Sequence, residues 1–325
     1  MLAVSRNQAV RYRLAVNHLS RRLPAGSYVE AAYAGLQDTA PRDALLGLHA
    51  RVADCEPTAW EHPDLIQTYS PRRAVYVLPR DDFGIFTIGR LPRDPAARQA
   101  LEDRADRASR ELASQPQPAR QLPADRGVCA TGRFVVRWTT SALQVWEQPP
   151  PPIDAEAARI ELCRRHLHAF GPTTPAAFAW WAGVSSQDAG QTFELIRPEL
   201  LPVDYEGHPA WILAADETTV RTAEPVRGVR LVVASDQRLF GHDRTRLFVG
   251  PGLPVHTPVH DTFHPHGLVI DGSIAGAWGR RAGRVSVKTT GPVSAAIRRA
   301  IRDEAESMPI PGAAVTMSLT EHAAR

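Results

Sequence analysis

The sequence predicts an α+β chain of tandem winged-helix modules followed by a small C-terminal β-rich domain. Three observations predict it. Runs of helical pattern closed by short β-type runs occur at the start of the chain and again after Asp154. Proline-rich punctuation, QPQPARQLPADR and the run Pro149–Pro152, separates the stretches between them. Beyond Pro225 the pattern turns to short strands with glycine turns. With 325 residues the chain exceeds a single domain of ~100–200 residues. The expected modules are 1–92, 93–150, 151–224 and 225–325.

The first module reads as a helix from Arg6 to Arg22, a second from Val29 to Leu36, and a third after Thr39. Thr39 is placed as its N-cap, Pro41 in its first turn, and Ala44, Leu45, Leu48 and Val52 on its buried stripe. AVYVL and FGIFTIG, two apolar runs with a turn between them, read as the wing hairpin. In the second module, Asp94-Pro95 opens a polar helix to Ala113, and RFVVRWTTSALQVWEQ reads as a hairpin. The third module is the clearest. Its helix Asp154–Phe170 is stopped by Gly171-Pro172, Thr174-Pro175 opens a second, and Ser185 with Asp188 opens a third. LPVDYEGHPAWIL then forms two strands around Glu206-Gly207. VRLVVAS, HGLVIDG, IAGAW and RVSVKT are the C-terminal strands, closed by a helix from Val293 to Ala305.

Composition excludes several classes. Hydrophobic residues are 43% and charged residues 22%, which suits packed cores rather than disorder. Cys55, Cys129 and Cys163 are scattered and odd in number, so no disulfide framework or CxxC zinc knuckle is available. No run approaches the ~20 apolar residues of a spanning helix, and MLAVSRNQAVRYR lacks a signal core. The expected location is the cytoplasm, associated with the nucleoid. Net charge is only +3, but it is unevenly spread. Residues 1–30 hold five arginines against Glu30, and residues 271–303 hold seven basic residues against Asp271 and Asp303. Such clusters are either phosphate-facing surfaces or solvated helix faces.

AAYAGLQDTAPRDALLGLHARV, SPRRAVYVLPRDDFGIFTIGRLP, ARIELCRRHLHAFGPTTPAAFAWWAGVSSQDA, VVASDQRLFGHDR and HGLVIDGSIAGAWGRR resemble the bacterial AlkZ/YcaQ-type winged-helix DNA glycosylases. The resemblance covers nearly the whole chain. It implies tandem winged helices with a β-rich C-terminal domain, and excision of bulky N-alkylpurines, crosslinks included, in repair or in genotoxin self-resistance. It implies a catalytic Gln-x-Gln or Gln-x-Asp motif at the end of the second helix, matched here by Gln37, Asp38 and Thr39. Thr39 departs from both forms, which argues for a different substrate preference.

Alkylation at N7 or N3 makes the purine a cationic leaving group, so catalysis reduces to stabilising an oxocarbenium-like sugar and placing a water. The Gln37 carbonyl can orient that water. Asp38 is a base, a counter-charge or a helix cap, and Thr39 a water holder or a cap; the sequence leaves these open. The expected partner is double-stranded DNA containing alkylated purines, with Arg6, Arg11, Arg13, Arg42, Arg280 and Arg281 as phosphate contacts. No lysine lies in the motif for a lyase step, so a monofunctional, monomeric enzyme is expected, with no metal, no cofactor and no membrane. The rivals are a non-enzymatic regulator or adduct sensor and a protein-interaction scaffold. His256, His260, Asp261, His264 and His266 crowd one loop without a zinc spacing and read as a polar loop. Phe178, Trp180 and Trp181 read as core, with base stacking as the alternative. GxxxxGK[ST], GxGxxG and GxSxG are absent.

Overall fold

The computed structural model describes residues 1–40, 42–112, 117–118, 126–139, 142–241, 266–310, 312 and 314–321. In chain order its elements are β1 (Leu2–Val4), α1 (Arg6–Val16), α2 (Tyr28–Ala31), β2 (Leu36–Gln37), α3 (Asp43–Arg51), β3 (Leu65–Tyr69), β4 (Val75–Pro79), α4 (Phe83–Thr87) and α5 (Pro95–Leu112). There follow β5 (Gln117–Pro118), β6 (Phe134–Trp138), β7 (Leu143–Glu147), α6 (Ala155–Phe170), α7 (Pro175–Ala182), α8 (Ser186–Leu195), β8 (Leu200–Tyr205) and β9 (His208–Leu213). The last are α9 (Glu217–Thr222), β10 (Val229–Val232), β11 (His266–Ile270), β12 (Ser273–Arg281), β13 (Arg284–Thr289), α10 (Ala295–Glu306) and β14 (Thr316–Glu321). Helices and sheets alternate as an α+β chain.

The chain forms two compact units, one of Met1–Leu2, Ala32–Ala44 and Glu61–Glu217, the other of Ala3–Ala31, Leu45–Trp60 and Thr218–Arg325. In the first, β2, β4 and β3 make an antiparallel sheet in that order, with Gln37 opposite Tyr76 and Gln67 opposite Val77. A second sheet runs β5-β7-β6, and the Thr68 hydroxyl of β3 donates to the Phe134 carbonyl of β6 at 2.9 Å. Helices α6, α7 and α8 are followed by the β8–β9 hairpin, the order of elements expected from the sequence. Asp154, Thr174 and Ser185 cap these helices through backbone amides three residues on. Leu162, Phe178, Trp181 and Phe193 fill the core between them and β4.

Four expectations need correction. Helix α1 ends at Val16 rather than Arg22, because Asn17 bonds back to the Arg13 carbonyl and His18 turns to φ 58. The second helix ends at Ala31 rather than Leu36, and Gly35 at φ 76 turns the chain into β2. FGIFTIG is helix α4 and a 3-10 turn, not a strand. Phe83, Phe86 and Thr87 are buried at helical spacing, and the Thr87 hydroxyl closes the turn on the Phe83 carbonyl at 2.6 Å. The partners of β4 are instead β2 and β3.

In the second unit β10 to β14 form a five-stranded sheet in chain order, antiparallel except for the parallel pair β13–β14. Strand β14 was also unforeseen. The sheet buries Leu231, Leu268, Trp278, Val285 and Val287 with Ile301 and Ala305 of α10 and Leu46 of α3. Arg51, 3% exposed, makes a two-pronged pair with Asp236 at 2.7 and 2.9 Å.

Candidate active site

The motif is built by Gly35. A Cβ there would lie 2.8 Å from Leu78 and 2.9 Å from Tyr76, so only glycine lets the chain pass this close to β4 in the left-handed region. Leu36–Gln37 then pairs as the edge strand β2, and the Asp38 amide continues the ladder to the Val75 carbonyl at 2.7 Å. Gln37, Asp38 and Thr39 therefore stand at the end of a strand. The second helix, at whose end the motif was expected, stops six residues before Gln37, at Ala31.

Asp38 has no exposed surface. Its Oδ1 accepts from the Ala44 amide at 2.9 Å, and its Oδ2 accepts from Gln67 Nε2 at 3.2 Å. Gln67 in turn accepts from the Trp138 amide at 3.0 Å, and Trp138 Nε1 donates to the Asp38 carbonyl at 2.7 Å. This closed ring joins β3, β6 and the motif. Burial pushes the Asp38 carboxyl up to about 6, opposed by the Ala44 amide and the Arg42 charge. Asp38 thus caps the first turn of α3, a role the sequence leaves open between Asp38 and Thr39, and both its oxygens are engaged within the protein.

Thr39 is exposed, and its hydroxyl accepts from Gln37 Nε2 at 2.9 Å. That bond fixes which way the Gln37 amide faces. Gln37 Oε1 is then buried and has no hydrogen-bond partner among the described residues. A buried carbonyl oxygen with no donor is a costly feature, and one held water would satisfy its lone pairs.

The six arginines fall into different settings. Arg42, at φ 76, is half-buried beside Asp38. Arg6 is exposed and donates to the Phe240 carbonyl at 3.0 Å. Arg13 is 1% exposed and donates to the Gly241 carbonyl at 2.6 Å, so its guanidinium braces the second unit instead of facing solvent. Arg11 and Arg280 are half-buried and Arg281 is exposed, the last two on β12. Gln67 and Trp138 were not foreseen as site residues. Their only sequence signal was a glutamine inside an otherwise apolar strand.

His256, His260, Asp261 and His264 lie outside the described residues. His266 is buried against Trp278, its ring centroid 4.4 Å away, and burial lowers it to about 4. Among the described residues no three His, Cys, Asp or Glu side chains gather as a metal site. No helix among them is long and apolar enough to cross a membrane. Phe178 and Trp181 are core, as expected, whereas Trp180 is only partly buried.

A protein-family model described as DNA glycosylase AlkZ-like matches residues 104–309, more than half of the chain. The chain belongs to the AlkZ-like DNA glycosylase family. The matched span of this AlkZ-like chain begins beyond Gln37–Thr39. An interstrand DNA cross-link repair glycosylase of Streptomyces sahachiroi is 30% identical over 99 residues, which is 30% of this chain and 26% of that protein. The match thus spans about a quarter of that relative's length. The solved structure of Streptomyces sahachiroi DNA glycosylase AlkZ is similar over 98% of this chain and 100% of that one, with a TM-score of 0.76 at 15% identity. The two AlkZ-like chains share a fold from end to end.

Proposed function

We propose that this protein is a monofunctional DNA glycosylase that hydrolyses the N-glycosidic bond of alkylated purines, with bulky N7-alkylguanine adducts or crosslinks as its substrates, in repair or genotoxin self-resistance. The observation that carries this is the Gln37 amide, anchored by Thr39 at its nitrogen and left with a buried, unsatisfied acceptor at its oxygen. Family membership and the cross-link repair activity in the relative's name support the substrate class.

In this reading the cationic purine leaves with the electron pair of the C1′–N bond. A water held by Gln37 Oε1 adds to C1′, and its proton passes to solvent. Thr39 fills the third motif position as an orienting group for Gln37, not as a base. Asp38 holds the strand end in register and, when ionised, adds negative potential near the sugar cation. Neither metal nor organic cofactor enters, and the protein works as a monomer on duplex DNA. With no lysine in the motif, the product is an abasic site without strand cleavage.

The test is single-turnover release of N7-methylguanine and of a bulkier N7-guanine adduct from duplex DNA. Wild type releases base, and Gln37→Ala loses about 100-fold or more of the rate, the scale of a lost positioning group. DNA binding with no release of either base would sink this reading in favour of a non-enzymatic adduct sensor or regulator.

A further inference from the structure

Building on the glycosylase reading, we propose that the β3–β4 turn, through Arg72 and Arg73, grips a backbone phosphate of the DNA strand beside the target nucleotide. The turn lies in the same sheet as the motif. Gln37 is opposite Tyr76 and the Asp38 amide bonds to Val75, so the register carries Thr39 toward Ala74, the last residue of the turn. Both arginines are exposed.

Both also sit in the left-handed region, each at φ 57, where an L side chain is disfavoured and glycine is not. The conformation is imposed by its surroundings. Ser70 exchanges backbone bonds with Arg73 and Ala74 at 3.0 and 2.9 Å, and its hydroxyl donates to the Phe86 carbonyl at 2.7 Å. Two successive arginines in this disfavoured conformation mark the turn as a place where backbone strain is kept.

The turn also gathers like charge. The Arg72 guanidinium lies over the Trp180 ring of α7, 4.5 Å from its centroid. Arg90 lies buried nearby, donating to the Ala182 carbonyl at 2.6 Å, and is lowered to about 10 by burial and, in smaller part, by the Arg73 charge. Two exposed guanidinium groups beside a buried third raise the positive potential at the turn, which an anion relieves. A phosphodiester meets that need, and the register that sets Thr39 toward Ala74 puts the turn on the motif's side of the sheet.

The experiment reads binding of undamaged duplex DNA against salt, which requires no catalysis. Arg72→Ala/Arg73→Ala is expected to weaken binding about tenfold at fixed salt and to reduce the log–log salt slope by about 1, while lysine at both positions preserves the slope. Arg73→Gly separates function from folding: it relieves the left-handed strain and raises the melting temperature by a few degrees while weakening DNA binding. An unchanged salt slope in the double variant, or a glycine variant that loses stability and affinity together, overturns the phosphate grip. Gln37→Ala keeps the slope. If the slope falls as stated and no base is ever released, the grip stands and the glycosylase reading fails.

Discussion

At the residue scale, one hydroxyl decides what Gln37 can do. Thr39→Val is nearly isosteric but removes the acceptor for Gln37 Nε2, so the amide is free to rotate. The expected result is about a tenfold slower single-turnover release, recovered by Thr39→Ser, with DNA affinity unchanged. Asp38 gives a pH signature. Its folded-state value of about 6 lies above the ordinary 3.8, so the stability it contributes is full below about 3.8 and lost as pH rises through about 6. Asp38→Asn retains the acceptor for Ala44 and removes this titration. Denaturant melts between pH 4 and pH 7 should show wild type losing stability relative to the variant, and parallel curves would refute the assignment. The sequence displays the Gln37-Asp38-Thr39 triplet but cannot rank its members. Asp38 takes its meaning from Gln67 and Trp138, 29 and 100 positions away.

At the element scale, what was legible follows from the range of the forces involved. Helices α6, α7 and α8 announce themselves because their caps are local, with Asp154, Thr174 and Ser185 each bonding three residues ahead. Strand β3 carries no clear pattern and helix α4 reads as a strand, because both are short and their identity depends on partners elsewhere: β4 and β6 for the strand, α6 and the 3-10 turn at Arg126–Thr131 for the helix. The β2 strand owes its existence to Gly35. Gly35→Ala places a methyl against Leu78 and Tyr76 at a positive φ and should cost about 1–3 kcal/mol. Because the displaced element carries Gln37, base release should fall further than global stability explains. Urea melts set beside single-turnover rates measure the difference.

At the scale of the whole molecule, the fold class was legible from the order of helical and β-type patterns, whereas the course of the chain through its two units was not. No periodicity reveals that residues 3–31 and 45–60 belong with residues 218–325. The Arg51–Asp236 pair joins two of these segments in a buried setting. Asp236→Ala strands the guanidinium and should destabilise the protein by about 3–5 kcal/mol, read as a lowered midpoint in urea.

The order of synthesis gives that segmented unit a further property. Helices α1 and α3 leave the ribosome early, whereas Asp236, Gly241 and Glu304, which neutralise or cap Arg51, Arg13 and Arg22, come last. The 185 residues between Arg51 and Asp236 take about 10–40 s to translate at bacterial rates of ~5–20 residues per second. For that interval Leu46 lacks the partners it has in the core of the later sheet and α10, so its apolar side chain stays uncovered until they are made.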